Sequence, residues 1–271
     1  MLRSMFSAVS GLRSHQTMMD VTGNNIANVN TSGYKASRTT FQETLTQMVR
    51  GGTAGAVGEG GQNPMQVGLG AQVAATDMVF TQGASQATGR PTDVAIQGDG
   101  MFVVQDGDAQ VYTRSGAFSF DSAGNLVTAG GQRVQGTNLL GGGGGLEDIN
   151  IDPEDYTDIT IGANGTVTGR AGDGGLVDLF EVALARFPNV AGLERQGNGL
   201  FRDSPAAGDA IIAAPGQEGL GALQAGTLEM SNVDLAQEFT NLILSQRGFQ
   251  ANARTISTSD ELLQELVNLK R

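Results

Sequence analysis

The chain opens with Leu2-Arg-Ser-Met-Phe-Ser-Ala-Val-Ser-Gly-Leu12, in which apolar residues recur at alternating spacings of three and four. The rhythm continues to Ile26 and returns near the other end of the chain. Such a heptad seam packs one helix lengthwise against another. We therefore predict helices over residues 2–28 and from Ser231 to Leu269, paired as a coiled coil. The predicted packing residues of the seams and their flanks are Leu2, Met5, Phe6, Val9, Leu12, Met19, Ile26, Leu235, Phe239, Leu242, Phe249, Ile256, Leu263 and Val267.

Three polar residues interrupt these seams, namely Gln16, Gln246 and Asp260. Polar seam residues fix the register or the number of partners in coiled coils. The alternative is that these positions face solvent where the helices diverge, and the sequence leaves both open.

A second apolar stripe, made of Leu262, Leu266 and Leu269, lies beside the seam of the last helix. We expect this stripe to pack against a neighbouring subunit. The alternative is the wide apolar face of an ordinary core helix.

From about residue 71 the apolar period changes to two, which is typical of strands. Short strands flank glycine turns at Gly98-Asp99-Gly100 and at the hairpin dipeptide Asn164-Gly165. Before them we predict a short helix from Thr40 to Val49 and an extended, glycine-rich linker over residues 50–70.

The fold class is therefore α+β, with paired terminal helices and a central all-β domain, either a sandwich or an irregular barrel. The predicted divisions are a terminal helical domain (1–30 and 228–271), a linker region with a short helix (31–70) and a β-rich outer domain (71–227).

The 271 residues carry a formal charge of -12, and all of it lies in residues 36–227. An acidic middle argues against a nucleic-acid groove, which needs Lys and Arg to neutralise phosphates. No apolar run approaches the roughly 20 residues that span a bilayer, so we expect no membrane insertion. The start of the chain does not resemble a cleaved secretion signal, because serines and Arg13 interrupt its short apolar segment.

The residues that could carry chemistry are few. His15 is the only histidine and cysteine is absent, so a zinc site and a serine triad both lack partners. Acidic residues cluster at Asp106-Gly-Asp108 and across Asp152, Glu154, Asp155 and Asp158. Neither cluster matches a calcium loop, so both are expected to be solvated turns, with a weak metal contact as the alternative. No phosphate-binding glycine motif is present, and the run Gly141 to Gly145 is expected to be a loose loop. We therefore predict no catalytic, cofactor or metal site, and a protein that is not an enzyme.

Several longer motifs resemble the bacterial flagellar rod and hook proteins, and the match covers most of the chain. The terminal motifs are Ser7-Ala-Val-Ser-Gly-Leu12, Met19-Asp-Val-Thr-Gly-Asn-Asn-Ile-Ala-Asn28, Thr31-Ser-Gly-Tyr-Lys35, Leu228-Glu-Met-Ser-Asn-Val-Asp-Leu235, Gln246-Arg-Gly-Phe-Gln-Ala-Asn252 and Leu262-Leu-Gln-Glu-Leu-Val-Asn-Leu269. The central motifs are Asp93-Val-Ala-Ile-Gln-Gly-Asp-Gly-Met-Phe-Val103 and Tyr112-Thr-Arg-Ser-Gly-Ala-Phe118.

The resemblance implies an exported subunit that assembles with copies of itself into a helical tube. Length and sequence style look most like the compact hook form, a flexible joint that passes motor torque to the filament. The alternative within the family is the distal rod, a stiff drive shaft, and the alternative of another class is a secreted adhesin or binding module. The hook interpretation implies contacts with the distal rod protein, the hook cap, the hook–filament junction proteins and the type III export apparatus, and a place in the extracellular hook or basal body, reached without a cleaved signal.

Overall fold

The terminal segments fold as two long α-helices, α1 (Leu2–Ala27) and α2 (Leu235–Leu269). The computed structural model describes residues 2–55, 60–140, 145–152, 155–172 and 174–269, without the side chains of Leu2, Thr157 and Leu266. By contact the chain divides into two compact units, a helical unit (Met1–Ala27, Ser37–Met78 and Asp234–Arg271) and a β unit (Asn28–Ala36 and Val79–Val233). The predicted three-part division stays a prediction.

Helix α2 begins later than predicted. The carboxylate Oδ1 of Asp234 accepts hydrogen bonds from the backbone N–H groups of Ala236 at 2.8 Å and Gln237 at 3.3 Å. These are the contacts of an N-cap, which satisfies donors that the first helical turn leaves open. Asp234 therefore starts the helix, and the predicted start at Ser231 is wrong.

The helical unit also contains two strand pairs. Strand β1 (Ser37–Glu43) pairs antiparallel with β4 (Ala71–Met78), and β2 (Thr46–Arg50) pairs antiparallel with β3 (Met65–Gly68).

The helix predicted from Thr40 to Val49 is therefore wrong, because these residues belong to β1 and β2. The spacing of Phe41, Leu45 and Met48 imitates a helical stripe, yet these residues stand on two strands and the turn between them. Cross-strand pairing outweighs local periodicity here, as is common for short segments.

The β unit contains seventeen strands among its described residues. They are β5 (Ser85–Ala87), β6 (Val94–Gln97), β7 (Met101–Asp106), β8 (Ala109–Thr113), β9 (Phe118–Phe120), β10 (Leu126–Thr128), β11 (Arg133–Asn138), β12 (Leu146–Asp148), β13 (Tyr156–Ile161), β14 (Thr166–Ala171), β15 (Leu176–Val182), β16 (Leu184–Arg186), β17 (Glu194–Gly197), β18 (Leu200–Arg202), β19 (Ile211–Ala213), β20 (Ala222–Ala225) and β21 (Thr227–Glu229).

Thirteen of the strands described in this unit form one sheet, whose main path runs β13-β14-β15-β11-β7-β8-β18-β17. The predicted hairpin at residues 164–165 joins the paired strands β13 and β14. The predicted glycine turn at residues 98–100 joins β6 to β7, and β6 pairs with β20. The α+β class with a mainly β centre is confirmed, and the sandwich or irregular barrel stays a prediction.

The β unit has one apolar core, in which Phe102 and Phe118 pack edge to face with ring centroids 5.0 Å apart. Val104, Leu126 and Leu184 are fully buried around them. The first four residues of β7 are all buried, so this strand is covered on both faces and does not show the alternation of a half-exposed strand.

Candidate functional site

The two helices lie antiparallel, and glycines mark their close approach. A Cβ atom added to Gly11 would lie 2.7 Å from the Asn252 side chain, and one added to Gly248 would lie 2.5 Å from the His15 ring. The side-chain amide of Asn25 donates to Glu238 at 3.1 Å. In these contacts, residues with higher numbers on α1 meet residues with lower numbers on α2, so the helices run antiparallel.

Several small and polar residues are buried on the two helices. Ala8, Ser14 and Thr22 are buried on α1, and Ser245 and Ser259 are buried on α2. Such residues allow backbones to approach, but they bury little apolar area, so they contribute little hydrophobic stabilisation.

Many large apolar residues of both helices are left exposed in the single chain. Phe6 is 71% exposed, Phe239 is 49% exposed and Leu269 is 82% exposed. Ile243 and Leu244, which the seam analysis missed, are also exposed because they lie beside the seam positions. The predicted residues in the exposed class are Phe6, Val9, Leu235, Phe239, Phe249, Leu262, Val267 and Leu269.

The remaining predicted packing residues are partly buried in the chain. They are Met5, Leu12, Met19, Ile26, Leu242, Ile256 and Leu263. The side chains of Leu2 and Leu266 lie outside the part of the chain that the structure describes. These residues were predicted to pack between helices and between copies of the chain, and their packing roles stay predictions.

The β2–β3 hairpin exposes a further apolar surface. Leu45, Met48, Val49 and Met65 are all more than half exposed. Contiguous exposed apolar residues on a folded unit mark interaction surfaces. Together with the helix stripes they make the helical unit rich in unpartnered apolar area.

A buried ion cluster lies inside the β unit. The Glu229 carboxylate accepts hydrogen bonds from Lys35 Nζ at 2.7 Å and from Arg114 Nε at 2.5 Å. All three side chains are buried. The backbone N–H of Gly83 also donates to Glu229 Oε1 at 2.8 Å. Arg114 further donates to the carbonyls of Ile96, Gly98 and Gly100, so its guanidinium is held on several sides.

Two cations therefore hold one buried carboxylate in its ionised form. Burial alone raises the pKa of Glu229, but Arg114 and Lys35 outweigh burial, so its pKa lies below the usual range. A buried charge without its partner is costly, and loss of any one member would leave the others uncompensated.

The sequence analysis did not identify this cluster, although each member stands in a motif that it quoted. Lys35 ends the Thr31 motif, Arg114 lies in the Tyr112 motif and Glu229 in the Leu228 motif. A charged residue inside an otherwise apolar or small-residue motif was the available signal.

The polar seam residues Gln16, Gln246 and Asp260 are exposed in the chain. His15 packs against the Gly248 backbone and near the Phe41 ring at 6.3 Å. Its Nδ1 is buried and has no hydrogen-bond partner among the described residues.

The acidic turns were expected to be solvated. Across the ranges described, no group of three or more His, Cys, Asp or Glu side chains is arranged to hold a metal ion. Most of the glycine run, Gly141 to Gly144, lies outside the described residues. The same is true of Glu154 in one acidic turn. No helix in the described part of the chain is long and apolar enough to cross a membrane.

Terminal helices that meet through small residues and expose large apolar ones are typical of a structural subunit that is completed by other chains. Three family models match this chain. They are the flagellar hook protein FlgE/F/G D1 domain over residues 95–169, the flagellar basal body rod FlgEFG protein C-terminal model over residues 224–269, and the flagella basal body rod protein model over residues 5–35.

Full-length relatives agree with the family models. The chain is 47% identical to the flagellar basal-body rod protein FlgG of Bacillus subtilis, and 38% identical to FlgG of Borreliella burgdorferi, with both chains covered completely in each case. It is 30% identical to the flagellar hook protein FlgE of Borreliella burgdorferi over an alignment of 441 positions, again with full coverage of both. The chain therefore belongs to the flagellar hook and rod axial protein family, whose members are structural subunits.

Proposed function

We propose that this chain is a distal rod subunit, which assembles with copies of itself into a straight, stiff tube in the flagellar basal body. The hook interpretation made from sequence style is the less supported of the two. The rod relatives align over about the length of this chain, whereas the alignment with the hook relative is far longer than 271 residues. The 47% identity to a rod protein is the observation that carries the choice.

Self-assembly is supported by the exposed apolar residues of the helical unit. Burying a leucine- or phenylalanine-sized side chain contributes roughly 1.5–3 kcal/mol. Phe6, Phe239 and Leu244 each leave much of that contribution unused in the single chain. Copies that bury them together would gain several such contributions per subunit.

The coiled-coil pairing belongs to this assembly. Within the chain, α1 and α2 approach closely at Gly11 and Gly248, while the apolar residues that stay exposed on both helices remain available to partners. We propose that the seams close between neighbouring copies, with Leu262, Val267 and Leu269 covered by a second subunit. Export through the type III apparatus without cleavage is part of the same proposal. The hook cap and the hook–filament junction proteins were expected as partners under the hook interpretation. They are not partners in the rod proposal.

Electron microscopy of assembled full-length chain tests the rod proposal. Straight tubes are expected, whereas curved or supercoiled tubes would support the hook, and a chain that stays monomeric at high concentration would contradict both. A second test expresses the chain in Bacillus subtilis that lacks its FlgG, or in a strain that lacks its hook protein. Motility should return in the first strain and not in the second, and the reverse result would overturn the rod assignment.

A further inference from the structure

The segment of residues 226–232, here called the closing segment, ties together distant parts of the β unit. The backbone N–H of Gly33 donates to the Glu229 carbonyl at 2.8 Å, and that of Met230 donates to the Ala84 carbonyl at 2.8 Å. The Asn232 side chain accepts from the Ala36 N–H at 2.8 Å and donates to the Val79 carbonyl at 2.7 Å.

The backbone of Gly226 adds hydrogen bonds to the Asp93 carbonyl at 2.7 Å and from the Thr88 N–H at 2.9 Å. Strand β21 of the closing segment pairs with β5 over three residues, and β5 is exposed along its whole length. Two-stranded pairings of this size are marginal in water. The apolar core around Phe102 and Phe118 lies on other strands and does not depend on β21.

The Glu229 carboxylate adds two buried ion pairs to the hydrogen bonds of the closing segment. It joins this segment to Lys35 of the N-terminal strap (residues 28–36) and to Arg114, which follows β8. Without the carboxylate, Lys35 and Arg114 would be two buried like charges with no anion between them.

The other charged groups near the cluster do not replace Glu229. Arg195 of β17 stacks on the Tyr34 ring at 4.9 Å and donates to the Lys35 carbonyl, so it adds positive charge. Asp99 and Arg186 line a small cavity beside Lys35 and Arg114, and both are exposed to solvent.

We propose that the closing segment is a latch, which opens independently of the β core and is held shut by the ionised carboxylate of Glu229. With Glu229 charged, the strap, the start of the β unit and the closing segment are joined. With Glu229 neutral, Lys35 and Arg114 repel each other and the three segments separate, while the core strands stay folded. The latch therefore opens at acid pH, before the rest of the unit unfolds.

Hydrogen exchange of the full-length chain at neutral pH tests the latch, with Glu229→Gln standing in for the protonated carboxyl. The amides of Gly33, Gly83 and Met230 should lose protection by at least about 30-fold, because the buried cations lose their anion. Amides of β7, β8 and β11 should keep the wild-type protection. Asp148→Asn is the matched control, since Asp148 pairs with Arg133 at a more exposed place, and it should leave both sets unchanged.

A double variant separates charge from shape. Lys35→Met with Glu229→Gln removes one cation together with the anion, so it should recover much of the latch protection lost in the single variant. Equal loss of protection in the latch and the core of Glu229→Gln, including complete unfolding, would overturn the proposal. Unchanged latch protection in Glu229→Gln, or no recovery in the double variant, would overturn it as well.

Discussion

At the scale of single residues, the chain keeps a few polar groups inside because their partners are also inside. Glu229 is accompanied by two cations and the Gly83 N–H, so its charge is fully satisfied. Gly11 and Gly248 act differently, because they allow Asn252 and His15 to lie against the opposite helix backbone. Both devices depend on residues far apart in the sequence.

Glu229 predicts how stability changes with pH. Its pKa is lower in the folded chain than the ordinary value near 4.3, so the unfolded chain takes up a proton first as pH falls. The contribution of Glu229 is complete above about pH 5 and is lost as pH falls through the folded pKa. Protection factors of the Gly33, Gly83 and Met230 amides, measured by hydrogen exchange across this pH range, should show this acid loss in the wild type.

Glu229→Gln should flatten that pH dependence, and at neutral pH it should lower the free energy of opening the closing segment by roughly 3–5 kcal/mol, the usual cost of removing one partner from a buried ion pair. The free energy of unfolding of the β core should stay close to the wild-type value, because the latch opens independently of the core. If the variant loses stability with falling pH as steeply as the wild type does, other carboxyl groups cause that loss.

The helix glycines give a second prediction. Gly248→Ala places a methyl group against the His15 ring and should lower helical stability by roughly 1–3 kcal/mol, as overpacking does. Gly23→Ala is the matched control, because its Cβ meets no described atom within 4 Å, and it should stabilise α1 by up to about 1 kcal/mol.

Thermal unfolding monitored by helical circular dichroism measures both effects. His15→Ala combined with Gly248→Ala should recover most of the loss, since the ring is the obstacle. A Gly248→Ala variant as stable as Gly23→Ala would mean that the helices do not approach closely at this point.

At the scale of elements, the long periodic segments were predictable and the short ones were not. The apolar rhythm from Leu2 to Ile26 identified α1, and the turn at Asn164-Gly165 identified a hairpin, because local residues decide both. The segment from Thr40 to Val49 was assigned wrongly, since its pairing partners in β3 and β4 lie at residues 65–78. Long-range pairing leaves no local signal.

The exposed seam predicts separate effects on folding and assembly. Phe239→Ser should lower the free energy of unfolding of the monomer by no more than about 1.5 kcal/mol, because the ring is already 49% exposed in the single chain. The same change should raise the concentration needed for tube assembly at least about tenfold, since the ring is expected to be buried between copies.

Leu176→Ser is the matched control, because Leu176 is 71% exposed on a strand of the β unit. It should change neither the stability nor the assembly threshold. Sedimentation of assembled tubes measures the threshold, and equal thresholds for Phe239→Ser and the wild type would remove Phe239 from the proposed interface.

At the scale of the whole molecule, charge and apolar surface are divided along the chain. Residues 36–227 carry the entire formal charge of -12, while the two ends are neutral in sum and carry the exposed helix stripes. The ion cluster could not be predicted, because Lys35 and Glu229 are 194 positions apart and only the folded chain brings them together. The same holds for the choice between rod and hook, since both share the terminal motifs.

The charge distribution predicts that salt promotes assembly. Acidic regions on neighbouring copies repel, and the screening length falls from roughly 30 Å at 0.01 M to about 3 Å at 1 M ionic strength. The assembly threshold should therefore fall as salt rises. Light scattering across this range measures the threshold, and a constant value would mean that the acidic regions do not face each other.

The central claim is that the apolar stripes of α1 and α2 are completed only by other copies of the chain. A helical reconstruction of the assembled tube by electron cryomicroscopy tests it most directly. The account predicts a straight tube in which Phe6, Phe239, Leu244 and Leu269 are buried against neighbouring subunits. A tube in which these side chains face solvent, with the contacts made elsewhere, would contradict it.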